Sequence, residues 1–323
     1  MFGLRFDLRN PSFAGVTSTE RVQAALDMAE WADTRGGVMV AVSEHHGQDD
    51  GYLPAPIVFA SALAARTRTA RIMLAALPAP FYDPLRLAED LAVLDAVAGG
   101  RLDVILAGGY VAEEFAMFGV PSSSRGERLE ETVRLLRQAW TGEPFEFRGR
   151  RVRVTPTPSQ PGGPRIVLGG STAAAARRAA RIADGFVPVD GSCWDAYREE
   201  LGRVGKPDPG PRVETASATT FLSEDPESAW PILLPYLRHE NAQYASLLDA
   251  AKLEGPYSTM TDEELRRSGP YRIITPEAHT EELRARGAMA FSYFQPMAGG
   301  IPPALAWESL HLFEERVVPR LES

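Results

Sequence analysis

Apolar and polar positions alternate from the amino terminus onward: Phe2, Leu4, Phe6 and Leu8 are separated by Gly3, Arg5 and Asp7, a period of two that predicts a strand. A helix follows, opened by Thr17 as N-cap with Glu20 three residues on as the partner of a capping box, and running to about Arg35. The run "GVMVAVSE" is continuously apolar, β-branched and too short for a helix, which predicts a strand buried on both faces of a parallel sheet. "APIVFASALAARTR" then reads as an alanine-rich helix and "ARIMLAALP" as a third strand. Asp83 and Pro84 form an N-cap and N1 pair, and Leu87, Leu91 and Leu94 recur at i, i+4 and i+7 on the helix they open. A fourth strand, "GRLDVILAGG", precedes a fourth helix, "SRGERLEETVRLLRQAW", with Leu129, Val133 and Leu136 on one face.

The second half keeps the rhythm. "RIVLGG" leads into "STAAAARRAARIAD", "GFVPV" into a helix near 193–204, "RVETASATTFL" into a helix beginning near Pro226, and "AMAFSYF" into "PPALAWESLHLFEERVVP". The last helix carries Ala306, Leu310, Phe313 and Val317 as its apolar stripe. Eight strand–helix repeats predict an α/β fold of the (β/α)8 barrel type, a single domain over 1–323. Such a barrel needs only about 250 residues. The surplus is assigned to insertions, one after strand four and helix four at about 143–164, with a hairpin over 145–156, and one near strand seven at about 240–275. The second is expected to be irregular, either a lid or a surface loop without a role.

Composition narrows the function. With 34 Lys and Arg against 43 Asp and Glu the net charge is −9, unsuited to nucleic acid or anionic membrane surfaces and compatible with a small-molecule substrate. The one cysteine, Cys193, excludes an intramolecular disulfide, and the lack of an apolar run near 20 residues leads to a cytoplasmic expectation.

In a barrel the chemistry sits at the carboxyl ends of the strands. Strand two ends in "SEHHG"; adjacent residues of an extended chain point opposite ways, so of His45 and His46 one is expected to work and one to pack. His239, His279 and His311 fall in polar, helix-like or loop surroundings, so no metal site is expected. Strand three ends in "LAALPAPFYDP", where small residues leave room for a flat ligand, or prolines merely stiffen a loop. Gly108, Gly109 and Tyr110 end strand four, allowing close backbone approach beside an aromatic ring, or simply a tight turn. Gly169, Gly170, Ser171 and Thr172 bring amides and hydroxyls to a helix start, either a phosphate cradle or an ordinary N-cap. Arg125 is the cation near these predicted strand ends. Phe81, Tyr82, Trp194 and Phe294 suggest an apolar pocket.

Taken in order, "SEHH", "AALPAPFYDPLRLAEDLAVLDAVAGGR", "GGYVAEEFAMFGVPSSSRGER" and "PRIVLGGST" resemble the bacterial luciferase-like flavin-dependent monooxygenase family over residues 1 to about 185, and the likeness resumes in the closing "QPMAGGIPPALAWESLHLFEERVVP". The resemblance implies a barrel enzyme that uses reduced FMN and O2 to oxygenate a small, mainly apolar organic substrate. It implies His45 as an acid–base group beside the flavin, a non-proline cis peptide at Ala75 and Ala76, and Tyr110 at the flavin edge. Gly108 lies beside these, and Ser124, Arg125, Gly169, Gly170, Ser171 and Thr172 fall in the phosphate-binding segments. Ala107 and Gly108 stand where luciferase has Cys and Arg, which argues against light emission and leaves Arg125 as the main cation. No nicotinamide fingerprint is present, so a separate flavin reductase is expected as FMNH2 donor. The "ASALAA" helix and the leucine-striped helix after it are similar to those through which such chains form homodimers. Two alternatives stand: hydride transfer with the deazaflavin F420, and a non-catalytic flavin-binding partner subunit.

Overall fold

The computed structural model describes residues 1–188, 191–212, 218–287 and 290–322. The chain divides into two compact units, Met1–Ala41 with His45–Pro54 and Glu214–Ser323, and Val42–Glu44 with Ala55–Val213.

In the first unit, β1 (Phe2–Phe6) pairs in parallel with β11 (Ser292–Phe294), Leu4 opposite Phe294, and β2 (Gly37–Val42) is its other neighbour. Phe2, Leu4 and Phe6 are buried while Arg5 is half-buried, as alternation demands. Helix α1 (Ser18–Asp33) starts at the expected capping box, with both reciprocal Thr17–Glu20 bonds formed, and buries Ala24, Ala25, Met28, Ala29 and Ala32. Helix α11 (Pro303–Leu312) runs through a π-helical turn (Phe313–Val317) into α12 (Val318–Glu322), and the predicted stripe of Ala306, Leu310, Phe313 and Val317 is buried. Phe313 packs edge-on against Phe2 and Phe294.

The stretch 240–275, expected to be irregular, is largely ordered secondary structure. Helix α8 (Pro226–Ala251) occupies its first part, and α9 (Asp262–Ser268) and β10 (Tyr271–Ile274) its last. The polar run "HENAQ" looks like a surface loop, but Glu240 and Asn241 are buried with Leu237, Tyr244 and Ala245 on one continuous helical face. Thr261 and Glu264 close a second capping box at the start of α9. Strand β10 pairs in parallel with β9 (Thr219–Leu222) and precedes α10 (Pro276–Arg286). Residues 213–217 and 288–289 of the predicted strands "RVETASATTFL" and "AMAFSYF" lie outside the described residues.

In the second unit, β3 (Arg71–Pro78), β4 (Leu102–Ala107), β7 (Arg165–Gly170) and β8 (Gly185–Pro188) form a parallel array in that order. The linking helices are α2 (Pro56–Arg66), α3 (Pro84–Val97), the short α4 (Ala112–Met117), α5 (Arg125–Ala139), α6 (Ala173–Ile182) and α7 (Trp194–Arg203). Asp83 caps α3 by accepting from the amides of Leu85 and Arg86, and Leu87, Leu91 and Leu94 are fully buried. The predicted hairpin forms from β5 (Phe145–Phe147) and β6 (Arg150–Val152). Strand β4 buries Leu102, Val104 and Leu106 on one face and leaves Asp103, Ile105 and Ala107 half-buried on the other. No helix among the described residues is long and apolar enough to cross a membrane.

Candidate active site

The expected residues fall into both units, and each set has its own local construction. In the first unit, His45 follows the end of β2, and its amide donates to the Leu53 carbonyl at 3.4 Å, closing the 45–53 loop on itself. The loop is strapped to the exit of β1, since the Leu53 amide donates to the Asp7 carbonyl at 2.8 Å. The His45 ring meets the Tyr52 ring edge-on, with 4.9 Å between centroids, and lies 6.2 Å from Tyr244 of α8. His46 is as buried as His45.

Around these rings is a buried polar cluster that the sequence reading did not single out. Arg9, fully buried, forms an ion pair with Asp50, lies 3.9 Å from Asp7, and is sandwiched by Tyr52 and Tyr244 at 4.6 and 4.8 Å from its guanidinium carbon. His239 shares the same Asp50 oxygen at 2.8 Å, so it is tied to a carboxylate and not loose on a polar helix. His279 is likewise buried, bonded to Ser292 at 2.9 Å, and burial pushes its imidazole down to about 4. Gln295 donates through Nε2 to Asp7 at 2.8 Å and Glu240 at 3.0 Å, and its Oε1 accepts from Arg5. Burial and the neighbouring Asp7 push the Glu240 carboxyl up to about 8. The signal for this cluster lies at the odd positions that alternate with Phe2, Leu4, Phe6 and Leu8, where Arg5, Asp7 and Arg9 follow one another.

In the second unit the peptide between Ala75 and Ala76 is cis. A register shift against β4 falls between Ala75 and Leu77, and Ala75 lies level with Ile105, itself level with Val167 of β7. A Cβ added at Gly169 would sit 3.7 Å from Ile105 and 3.9 Å from Ala107, in ordinary contact. Gly108 lies 3.8 Å, from its would-be Cβ, to the stem of Arg125, the first residue of α5. Arg125 is exposed and has no carboxylate partner among the described residues. Gly109 has φ +72°, and a side chain there would press on the Phe115 ring; Tyr110 beside it is half-buried.

Gly170, by contrast, is required by its own helix, since a Cβ would meet that of Ala175 at 2.5 Å. Thr172 caps α6 by accepting from the Ala175 amide, next to a half-buried Ser171. Ser124 turns both its hydroxyl and its amide to the Pro121 carbonyl, at 2.7 and 3.0 Å, which takes its donors away from an anion. Of the four aromatic residues expected to line a pocket, Phe81, Tyr82 and Trp194 lie in the second unit and Phe294 in the first. Phe81 packs with Phe115 and Phe118, Trp194 with Tyr197, and Phe294 lies in the core against Phe2 and Phe313, while Tyr82 donates to Glu44 at 2.7 Å. Aromatic character alone does not tell which side of a strand or turn a ring takes.

This architecture recurs in solved structures. The monooxygenase RslO1 from Streptomyces bottropensis superimposes with a TM-score of 0.74 at 26% identity, covering 99% of both chains. An FMNH2-dependent dimethylsulfone monooxygenase of Pseudomonas putida is 34% identical over 138 residues, 40% of this chain and 38% of that protein. An F420-dependent glucose-6-phosphate dehydrogenase of Nakamurella multipartita is 26% identical over 314 residues, 92% of each. The alignments with the first curated relatives span less than half of their length. The luciferase-like monooxygenase family model matches residues 4–291. With a match that extends over most of the chain, and with strand–helix repetition throughout, the protein belongs to the luciferase-like monooxygenase family.

Proposed function

We propose that this protein is a flavin-dependent monooxygenase, a single (β/α)8 barrel that uses reduced FMN and O2 on a small organic substrate. The observation that carries the reading is the edge of β3, β4 and β7. Ala75, Ala76, Ala107, Gly108 and Gly169 place small side chains or none there, and the exposed Arg125 lies along Gly108. A flat ring with a phosphate tail fits that construction. Arg125, with Ser171, Thr172 and the amides at the start of α6, would hold the phosphate, a charge-assisted contact at a positive helix end. Ala75, Ala76, Gly108, Gly169 and Gly170 would line the ring and its tail, with Tyr110 at the ring edge. Ser124 would contribute as the N-cap of α5, not through its hydroxyl proton.

Reduced flavin, when bound, supplies the electrons with which one oxygen atom of O2 enters the substrate and the other leaves as water. His45 would hold and return a proton through an imidazole nitrogen. A separate flavin reductase would deliver FMNH2 to a protein working in the cytoplasm. The F420 reading is retained because a relative named as F420-dependent aligns along nearly the whole chain.

Anaerobic titration with reduced FMN and with reduced F420 decides between them. FMN is expected to bind, and Arg125→Ala to raise its Kd about tenfold or more, since a hydrogen bond to a charged group contributes roughly 1.5–3 kcal/mol. Saturable binding of F420 with no response to FMN would replace this reading by the second.

A homodimer is also proposed. The leucine stripe of α3 is buried in its own unit, so the face left for a second copy is formed by Val58 of α2 with Val93 and Val97 of α3, exposed by 74%, 49% and 44%. Sedimentation velocity at micromolar concentration is expected to report a dimer, and Val58→Lys with Val93→Lys a monomer. A wild-type monomer would refute it.

A further inference from the structure

Arg5 stands in the middle of β1, on the parity opposite Phe2, Leu4 and Phe6, and is only half-buried. A guanidinium in mid-strand costs stability unless it is paired and hydrogen-bonded. Three of the bonds it makes reach neutral oxygens: Tyr244 hydroxyl at 2.9 Å, Tyr52 hydroxyl at 3.5 Å and Gln295 Oε1 at 3.4 Å. The two hydroxyls are themselves 2.9 Å apart. Tyr257 stacks on Tyr244 at 4.5 Å, and Tyr257 and Tyr293 are close enough to feel the charge of Arg5. Both are half-buried, as Arg5 is, whereas Tyr52, Tyr244 and His45 form buried walls.

Two features set the surroundings of Arg5 apart from those of Arg9. Arg9, four positions on, is fully buried against Asp50 and Asp7. The phenols of Tyr244, Tyr257 and Tyr293 are raised above the usual range by burial, so they keep their protons and can donate. Aromatic walls around a few convergent donors are the usual construction of a small-molecule pocket.

We propose that Arg5, with the hydroxyls of Tyr52 and Tyr244, anchors an oxygen of a flat, ring-containing substrate beside His45. The inference rests on the reading of His45 as the reacting end of the site. The ligand class is an aromatic or cyclic compound with a hydrogen-bond-accepting oxygen, a carbonyl or an anionic one. Arg5 is a specificity-determining residue, and Tyr257, carried on the segment between α8 and α9, closes one side of the aromatic box.

Saturation-transfer NMR titration without flavin tests this with three probes: acetophenone, its oxygen-free isostere α-methylstyrene, and benzoate. Acetophenone or benzoate is expected to bind at least about tenfold tighter than α-methylstyrene, because a site built to hydrogen-bond an oxygen discriminates against an analogue lacking it. Arg5→Met is expected to reduce that preference to within about twofold without weakening α-methylstyrene, and Tyr244→Phe, which keeps the ring, to reduce it about three- to fivefold. Preference for acetophenone assigns a carbonyl, and preference for benzoate an anionic oxygen. Equal binding of all three, no binding of any, or a preference that survives both substitutions would overturn the proposal. The flavin reading fails on a different measurement, the FMN titration.

Discussion

Replacing His45 by alanine is expected to lower the turnover of substrate oxygenation by about 10²–10⁴-fold, the range that a positioned acid–base group contributes, while the Kd for reduced FMN moves by less than about twofold. The expectation follows from how the side chain is held. Its backbone amide is tied to Leu53, its ring is met edge-on by Tyr52 and flanked by Tyr244, and it projects from a loop anchored to the exit of β1. Such packing fixes the direction of an imidazole without removing its capacity to exchange a proton. His46→Ala is the control, and its effect on turnover is expected to be smaller, because the proton role is proposed for His45. A His45→Ala enzyme with unchanged turnover would end the assignment. A wild-type protein that binds FMN but oxygenates nothing would favour the non-catalytic subunit instead.

Arg9→Met is expected to destabilise the protein by about 3–5 kcal/mol, the cost of removing one partner from a buried ion pair. The guanidinium is fully buried, paired with Asp50 and held between the rings of Tyr52 and Tyr244. Methionine restores much of the volume but leaves Asp50 and Asp7 without their cation. Asp50→Asn in the Arg9→Met background is expected to recover part of the loss, since it removes one stranded charge. Urea denaturation of the wild type, both single variants and the double variant measures the coupling directly. A loss below about 1 kcal/mol in Arg9→Met would mean that water, not Arg9, compensates the carboxylates. Because the same residues strap the 45–53 loop to β1, activity is expected to fall in parallel with stability.

Elements whose evidence is local were legible in the residues. The Thr17–Glu20 capping box, the Asp83–Pro84 helix start, the leucine stripe of α3 and the apolar stripe from Ala306 to Val317 each depend on spacing within a few positions. Helix α8 beyond residue 240 was not legible, because what buries Glu240 and Asn241 is contact with distant parts of the chain. The core position of Phe294 was not legible for a related reason. In "SYF" it is Tyr293, not Phe294, that faces Arg5, and the parity of a three-residue strand is settled by its register with β1.

From the residues alone come the alternation of strand and helix, the acidic balance, the position of the two histidines at a strand end, and the small residues at the ends of β3, β4 and β7. These depend on the periods of two and 3.6 and on side-chain size, properties that each short segment carries with it. Only the folded chain decided that Arg5 meets Tyr244, 239 residues away, that Asp50 serves both Arg9 and His239, and that Arg125 lies along Gly108. Pairings of that kind depend on burial and register, which emerge only when remote segments pack together and charged groups, withdrawn from water, must find partners wherever the topology places them.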